Sequence, residues 1–590
     1  MDDLPQDIFL LVCRILVPIP LLSTEQDVNG EEYKSEYLRP LLRLTHVCRS
    51  WRRTLIDAQS MWSYLILKPT DNVCNNISSV LLERSGESPL TIVIVTNDVD
   101  DVYRTISAQG RRLCHFQIRM LGPSPGHYSL LSPYATPLLE ALSIKYEADA
   151  PAGTEYRNAS STRMFHNGRS SLRALELWPV QYALPLDSFP LLTHLFLSFD
   201  SVNIENSNLF EDVLSLLSRT PLLRFFNLRD IQCDGKSLPA SEDNPPAMVE
   251  LSRLNSMSVS QTNWEFIGNL LRRLILPREF HIYFTDPPSE GTFNDWKNSA
   301  SKTVNLLCRT AIPSLERLKI CQSDQVTITA EGPLSQAPLP RARGRLALST
   351  GPPVQEPRHR RAGAVSWLAS LPAHIPFSSI RVLHLDVENI LILLLPPLLA
   401  HTPALTTLIF LFCAHLGMIK TDDLAALDSL AAALLSPTAD GAFPCPQLAT
   451  LGSWIWLPER VADQGFARNM QRARVDVMFT KFTALATGRA RLGWPLRTLL
   501  LAPTTLQAER PRRAAAREDG DGRPGKAALD AMVDVGIETL RGVVEEVVWA
   551  PDVEGHVELD RLFAADTAAA DEEDLGRAER YWRIPWGPGA

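Results

Sequence analysis

Phe189-Pro190-Leu191-Leu192-Thr193-His194-Leu195-Phe196-Leu197-Ser198 sets leucines at 192, 195 and 197, the first of them two residues after a proline. The same spacing returns along the chain. It is found as Pro137 with Leu139, Leu142 and Ile144, and as Pro221 with Leu223, Phe226 and Leu228. Further copies are Pro313 with Leu315, Leu318 and Ile320, and Pro403 with Leu405, Leu408 and Phe410. A sixth, Pro446 with Leu448 and Leu451, ends on Ser453. Copies without the proline include Leu172-Leu175-Leu177, Leu271-Leu274-Leu276, Ile380-Leu383-Leu385 and Leu496-Leu499-Leu501. In a chain this rich in Leu, Ile, Val and Phe the bare triple should arise by chance roughly ten times. The proline-anchored triple should arise about once among 44 prolines, and five complete ones are present.

The pattern has a physical sense. The last two apolar positions alternate inward along a short strand, the first fills the turn before it, and a helix or loop carries the chain back. Stacked strands bury one another, which no single copy could do. This is the reading of a leucine-rich repeat. The steps from Leu142 to Leu175, Leu195 and Phe226 are 33, 20 and 31 residues, so the solenoid it predicts is irregular. An unrelated α/β domain with leucine-rich strands would carry a similar signature. The fold class is α/β on either reading.

The bulk properties narrow the function. At 590 residues the chain exceeds one hydrophobic core. Its formal net charge of −9 weighs against a phosphate-binding surface, so no nucleic-acid partner is expected. Nine cysteines at irregular spacing, with no CxxC pair, give no zinc-finger spacing and read as thiols of a reducing compartment. The opening Met-Asp-Asp lacks the basic residues of a secretory signal. The most apolar stretch, 390–419, is broken by Pro396, Pro397, His401 and Pro403, short of the ~20 residues a membrane helix needs. It reads as buried repeat elements, and the expected location is cytoplasmic or nuclear, with no membrane partner.

Ahead of the repeats lies a different kind of segment. Leu4-Pro5-Gln6-Asp7 opens a helix, with proline in the first turn and a carboxylate near the positive helix end. Ile8, Leu11, Val12 and Ile15 form one apolar stripe, and Phe9, Cys13 and Leu16 a second beside it. A helix apolar nearly all round must be covered on more than one side. A second helical stretch, 41–56, sets Leu44, Val47, Cys48, Trp51 and Leu55 on one face and Arg43, Arg49, Arg52 and Arg53 on another. Between them, 24–36 is polar and acidic and reads as an inserted loop. Such short helices cannot bury this much apolar surface among themselves. The cover comes either from the repeats or from a partner.

Leu4-Pro5, the apolar helix to Leu16, the string Leu44-Thr-His-Val47-Cys48-Arg49-Ser-Trp51-Arg52 and then Trp62 resemble an F-box. More narrowly, they are similar to the F-box proteins expanded in mushroom-forming fungi, as is Leu82-Glu83-Arg84-Ser85-Gly86 with Pro89-Leu90. The long insert at 18–39 departs from that pattern. The resemblance implies that a three-helix module docks onto a Skp-family adaptor and through it a cullin–RING ubiquitin ligase. It further implies Leu4, Pro5, Ile8, Val47 and Trp51 as adaptor-binding residues. A client protein would be held by the repeats. The alternative is a leucine-rich-repeat scaffold not engaged with a ligase.

Nothing in the sequence asks for catalysis. Gly520-Asp-Gly522-Arg-Pro-Gly525-Lys526 imitates a phosphate loop but has no apolar strand before it, and Ala527 stands where magnesium needs a hydroxyl. The expectation is a non-enzyme with no catalytic residues, no cofactor and no metal. The expected organisation is a docking module at 1–68 and repeats at 69–329 and 365–506. Pro- and Arg-rich disordered linkers are expected at 330–364 and 507–528, and a C-terminal segment at 529–590 with a helix from Leu529 to Leu540 and a strand from Val543.

Overall fold

The computed structural model describes residues 5–17, 22–23, 37–67, 72–121, 134–146, 163–165, 171–178, 180, 184–199, 209–231, 248–260, 262–277, 281–285, 305, 316–322, 326–331, 345–350, 371–387, 395–412, 422–437, 441–456, 465–504, 524–549 and 582–583. They fall into two compact units, Met1–Phe280 with Asp571–Ala590, and His281–Ala570. Helices and parallel strands make both, so the molecule is α/β.

In the first unit, helices α1 (Gln6–Leu16), α2 (Arg39–Thr45) and α3 (Arg49–Asp57) precede strand β1 (Tyr64–Leu67). Then come α4 (Asn72–Ser85), β2 (Leu90–Thr96), α5 (Val99–Gln109), β3 (Leu113–Met120), β4 (Ala141–Tyr146), β5 (Ala174–Trp178) and β6 (His194–Ser198). The series closes with α6 (Leu209–Ser218), β7 (Phe225–Arg229), β8 (Ser256–Ser260) and α7 (Trp264–Arg273). Each strand from β1 to β8 pairs in parallel with the next in sequence. The series is open, with no pairing between β1 and β8 among the described residues.

Register explains the repeated triple. One row across the sheet is Leu65, Ile92, Phe116, Leu142, Leu175, Leu195, Phe226 and Met257, and all eight are buried. The row two residues on runs Ile94, Ile118, Ile144, Leu177, Leu197, Leu228 and Val259, equally buried. The first leucine of each triple (Leu139, Leu172, Leu192, Leu223) is buried in the approach to its strand. The proline has a specific place too. The N–H of Leu139 donates to the carbonyl of Thr136, Leu192 to Phe189 and Leu223 to Thr220, so Pro137, Pro190 and Pro221 each sit second in a four-residue turn. That position wants φ near −65°, which the pyrrolidine ring supplies in advance.

The other face of this sheet is buried as well. Gln117, Ser143, Glu176 and Phe196 lie between the ladder rows and are all inside. All six residues of β4 are buried. Lys145 meets Glu176 at 3.2 Å, and Ser143 Oγ donates to the same carboxylate at 2.6 Å. Burial on both faces is the usual condition of a parallel sheet.

The second unit repeats the scheme. Strands β9 (His281–Thr285), β10 (Arg317–Gln322), β11 (Val326–Glu331), β12 (Arg345–Thr350), β13 (Val382–Val387), β14 (Thr407–Phe412), β15 (Thr450–Trp456), β16 (Thr498–Thr504) and β17 (Glu546–Trp549) alternate, in the second half, with helices α8 (Leu395–Ala400), α9 (Asp422–Leu435), α10 (Gly465–Arg491) and α11 (Pro524–Arg541). Strands β13 to β17 run parallel in order, β13 pairs with β10, and Leu318, Leu383, Leu408, Leu451, Leu499 and Val547 form a ladder. Pro403 and Pro446 again occupy second turn positions, with Leu405 N–H on Thr402 and Leu448 N–H on Cys445.

Several expectations meet a different outcome. The 41–56 helix is two helices, because Cys48 takes an extended conformation (φ −155°, ψ 170°) and caps α3 by accepting the Trp51 N–H on Sγ at 3.4 Å. Leu271-Leu274-Leu276 is not a ladder member, since Leu271 belongs to α7. The rung at that step is Leu254, Met257 and Val259. The expected linker 330–364 contributes β12, antiparallel to β11, where Val-Thr-Ile-Thr and Arg-Leu-Ala-Leu alternate with strand period. Helix α11 begins at Pro524, inside the expected 507–528 linker. Leu22–Ser23, within the N-terminal insert, pairs in parallel with Trp582–Arg583 near the C-terminus. The 390–419 stretch holds α8 and β14, with Leu395, Leu398, Leu399, Leu405 and Leu408 buried. No described helix is long and apolar enough to cross a membrane.

Candidate functional site

Helix α1 turns one stripe inward. Phe9, Cys13 and Val17, four residues apart, are buried, and Phe9 packs edge-on against Trp51 with ring centres 4.8 Å apart. The complementary stripe faces out. Ile8, Leu11, Val12, Ile15 and Leu16 have the i, i+3, i+4, i+7, i+8 spacing of an apolar helix face, and all five are exposed, Ile15 at 70%. Leu16, grouped by the sequence with Phe9 and Cys13, is 56% exposed, and Val17 takes its place beside them. The physical reason is the 100° step of the helix. Val17 continues the line of Phe9 and Cys13 in steps of four, whereas Leu16 continues that of Ile8 and Val12 on the outer face.

Helices α2 and α3 and the turn between them expose apolar groups of their own. Leu42 and Ile56 are exposed, and Val47, in the turn between the helices, is 58% exposed. Arg43, Arg49, Arg52 and Arg53 are exposed on the same two helices. Arg49 and Arg52 lie in the first turn of α3, where the helix dipole is positive and cations are disfavoured. Together with Arg43 and Arg53 they make an exposed basic surface on these helices.

The helices are fastened on their inner side. Trp62 is fully buried, its indole N–H donating to the Leu55 carbonyl at 2.7 Å, with the Arg84 guanidinium 4.6 Å over its ring. Tyr37 Oη donates to the Met61 carbonyl at 2.7 Å, and its ring meets Tyr64 edge-on. Burial pushes the Tyr37 and Tyr64 hydroxyls far above the ordinary tyrosine range, so both stay protonated. Arg14 donates to Ser60 Oγ at 2.9 Å. One side of the helical module is therefore anchored to the sheet and the other stands open.

Of the five residues expected to bind an adaptor, Ile8 and Val47 are exposed apolar groups, Pro5 is exposed at the start of α1, and Trp51 is half-buried against Phe9. Leu4 lies outside the described residues. Leu11, Val12, Ile15 and Leu16 belong to the same surface and were not among the five. The helical period counted from Ile8 finds the first three, and carrying it one residue past Ile15 reaches Leu16 as well. No protein-family model matches this chain, and no curated protein does.

Proposed function

We propose that this protein is a substrate-receptor subunit of a Skp–cullin–F-box ubiquitin ligase, acting in the cytoplasm or nucleus. Its first 68 residues serve as an F-box-like docking module, and its parallel strands form an irregular leucine-rich-repeat solenoid that holds a client protein. The observation that carries this reading is the five-residue apolar stripe of α1 left uncovered by its own chain. Covering the exposed half of five such side chains is worth about 1 kcal/mol each. That total, about 5 kcal/mol, only reaches the low end of the ~4–15 kcal/mol cost of association, so the partner must also engage Val47, Leu42, Ile56 and the arginines. A Skp-type adaptor therefore needs an apolar groove with an acidic rim.

Most strand side chains of the first unit are buried on both faces, which leaves client recognition mainly to the loops between strands. The chain itself performs no covalent step. It raises the effective concentration of the client near the ubiquitin-carrying enzyme. Co-expression with a Skp-family adaptor tests this. The full chain should co-purify with the adaptor, and Leu4→Asp with Pro5→Ala, or Ile8→Asp with Ile15→Asp, should abolish capture while circular dichroism is unchanged. Capture that survives both pairs of substitutions rules out this face. Client ubiquitination that is indifferent to Ile8→Asp with Ile15→Asp would favour a scaffold outside any ligase.

A further inference from the structure

A local irregularity brings three metal-ligating side chains together at the start of β3 and β4. Strand β2 pairs with β3 as Leu90 opposite Leu113 and then Thr91 opposite His115, so Cys114 is an extra residue in β3. In a regular strand Cys114 and His115 would point to opposite faces; a bulge re-aims one of the two. The Cys114 thiol, a ring nitrogen of His115 and a carboxylate oxygen of Glu140 lie within 4.8 Å of one another, on three half-buried residues.

Each residue is held in place by its surroundings. The Glu140 N–H donates to the Cys114 carbonyl at 2.8 Å, which fixes the spacing of the thiol and the carboxylate. The Glu140 carbonyl accepts from the N–H groups of Arg173 and Ala174, tying the same residue to β5. From the other side, Thr91 Oγ1 lies 3.2 Å from His115 Nδ1 and orients the ring. A hydrogen bond at the nitrogen that does not meet the metal fixes the tautomer and ring orientation of a metal-binding histidine.

We propose that Cys114, His115 and Glu140 form a zinc site with water in the fourth position. A thiolate, an imidazole and a carboxylate suit a borderline-soft divalent ion, whereas calcium and magnesium call for oxygen ligands alone. Bond lengths of about 2.0–2.3 Å in a tetrahedron set ligand atoms about 3.5 Å apart. The three groups therefore close by no more than about 1.3 Å on binding, within reach of side-chain rotation by cysteine and glutamate. The thiol gives up its proton to solvent as the Zn–S bond forms, so affinity falls with falling pH. The site clamps β3 to the approach of β4 and stabilises the first unit independently of any docking partner.

The test uses the full chain, stripped with chelator and titrated with zinc chloride, and with cobalt(II) as optical probe. One zinc per chain is expected, with a thiolate-to-cobalt charge-transfer band and a rise in melting temperature. Cys114→Ser should remove the band, and His115→Asn and Glu140→Gln should each weaken zinc at least tenfold. Thr91→Val, which touches no metal, should weaken it about 10–100-fold. Glu140→Gln keeps the backbone bond to Cys114, so it reports on binding even where Cys114→Ser fails to fold. Absence of stoichiometric zinc, or a cobalt band and zinc affinity unchanged in these variants, overturns the proposal.

Discussion

Strand β4 and helix α1 are both short, apolar segments of the first unit, and their surroundings are opposite. In β4 every residue is buried, Lys145 included. In α1 only Phe9 and Cys13 are. The strand has a paired neighbour on each side and cover on both faces, so even a charge is carried inside, matched by Glu176. The helix has one neighbouring surface. Apolar character thus does not separate core from surface; the number of covering neighbours does. A buried cation among well-covered residues and bare leucines among poorly covered ones are two results of the same rule.

The comparison can be broken at its polar point first. Glu176→Ala takes the matching carboxylate away from Lys145 in the interior and should cost about 3–5 kcal/mol in denaturant unfolding, while Lys145→Met with Glu176→Leu should recover most of that. A loss under about 1 kcal/mol for the single change would show that water reaches β4. Leu175→Ala, in the middle of the ladder, should cost about 2–5 kcal/mol. Its counterpart on the helix, Ile15→Ala, should stay within about 0.5 kcal/mol, since its side chain is largely exposed. Similar losses at the two positions would mean that the outer stripe of α1 is covered within the chain.

A smaller effect concerns pH. His194 on β6 is buried and stacked on Phe225 at 4.6 Å, and burial, helped by Arg224, pushes its pKa down to about 3. The unfolded chain takes up this proton near pH 6.5 and the folded chain does not, so the unfolded state binds more protons between those values. Stability should fall by roughly 1.4 kcal/mol per pH unit from about 6 toward 3, and this residue should contribute nothing above about 7. His194→Phe should flatten that limb of the denaturant midpoint against pH; an unaltered slope would contradict the burial of the ring.

Sequence period carried the ladder well because leucine spacing and a turn proline act over a few residues. Met257 and Val259 fill the same positions without leucine, and Trp62, Leu65 and Leu67 extend the pattern into a region read as docking module, so the leucine count missed both. The α1 stripes were legible as stripes. Which one faces out depended on Trp51 and the helix Arg39–Thr45 packed against α1, and that is a tertiary fact. The Cys114, His115 and Glu140 trio had no sequence signal: adjacent strand residues ordinarily diverge, and only the bulge opposite Thr91 brings them together.

Calorimetric titration of the full chain with a purified Skp-family adaptor at several temperatures tests the central claim most directly. Capping the open face of α1 should give one-to-one binding with a clearly negative heat-capacity change, reduced in Ile15→Asp together with the affinity. No binding, or binding with a heat-capacity change near zero and indifferent to Ile15→Asp, would contradict it.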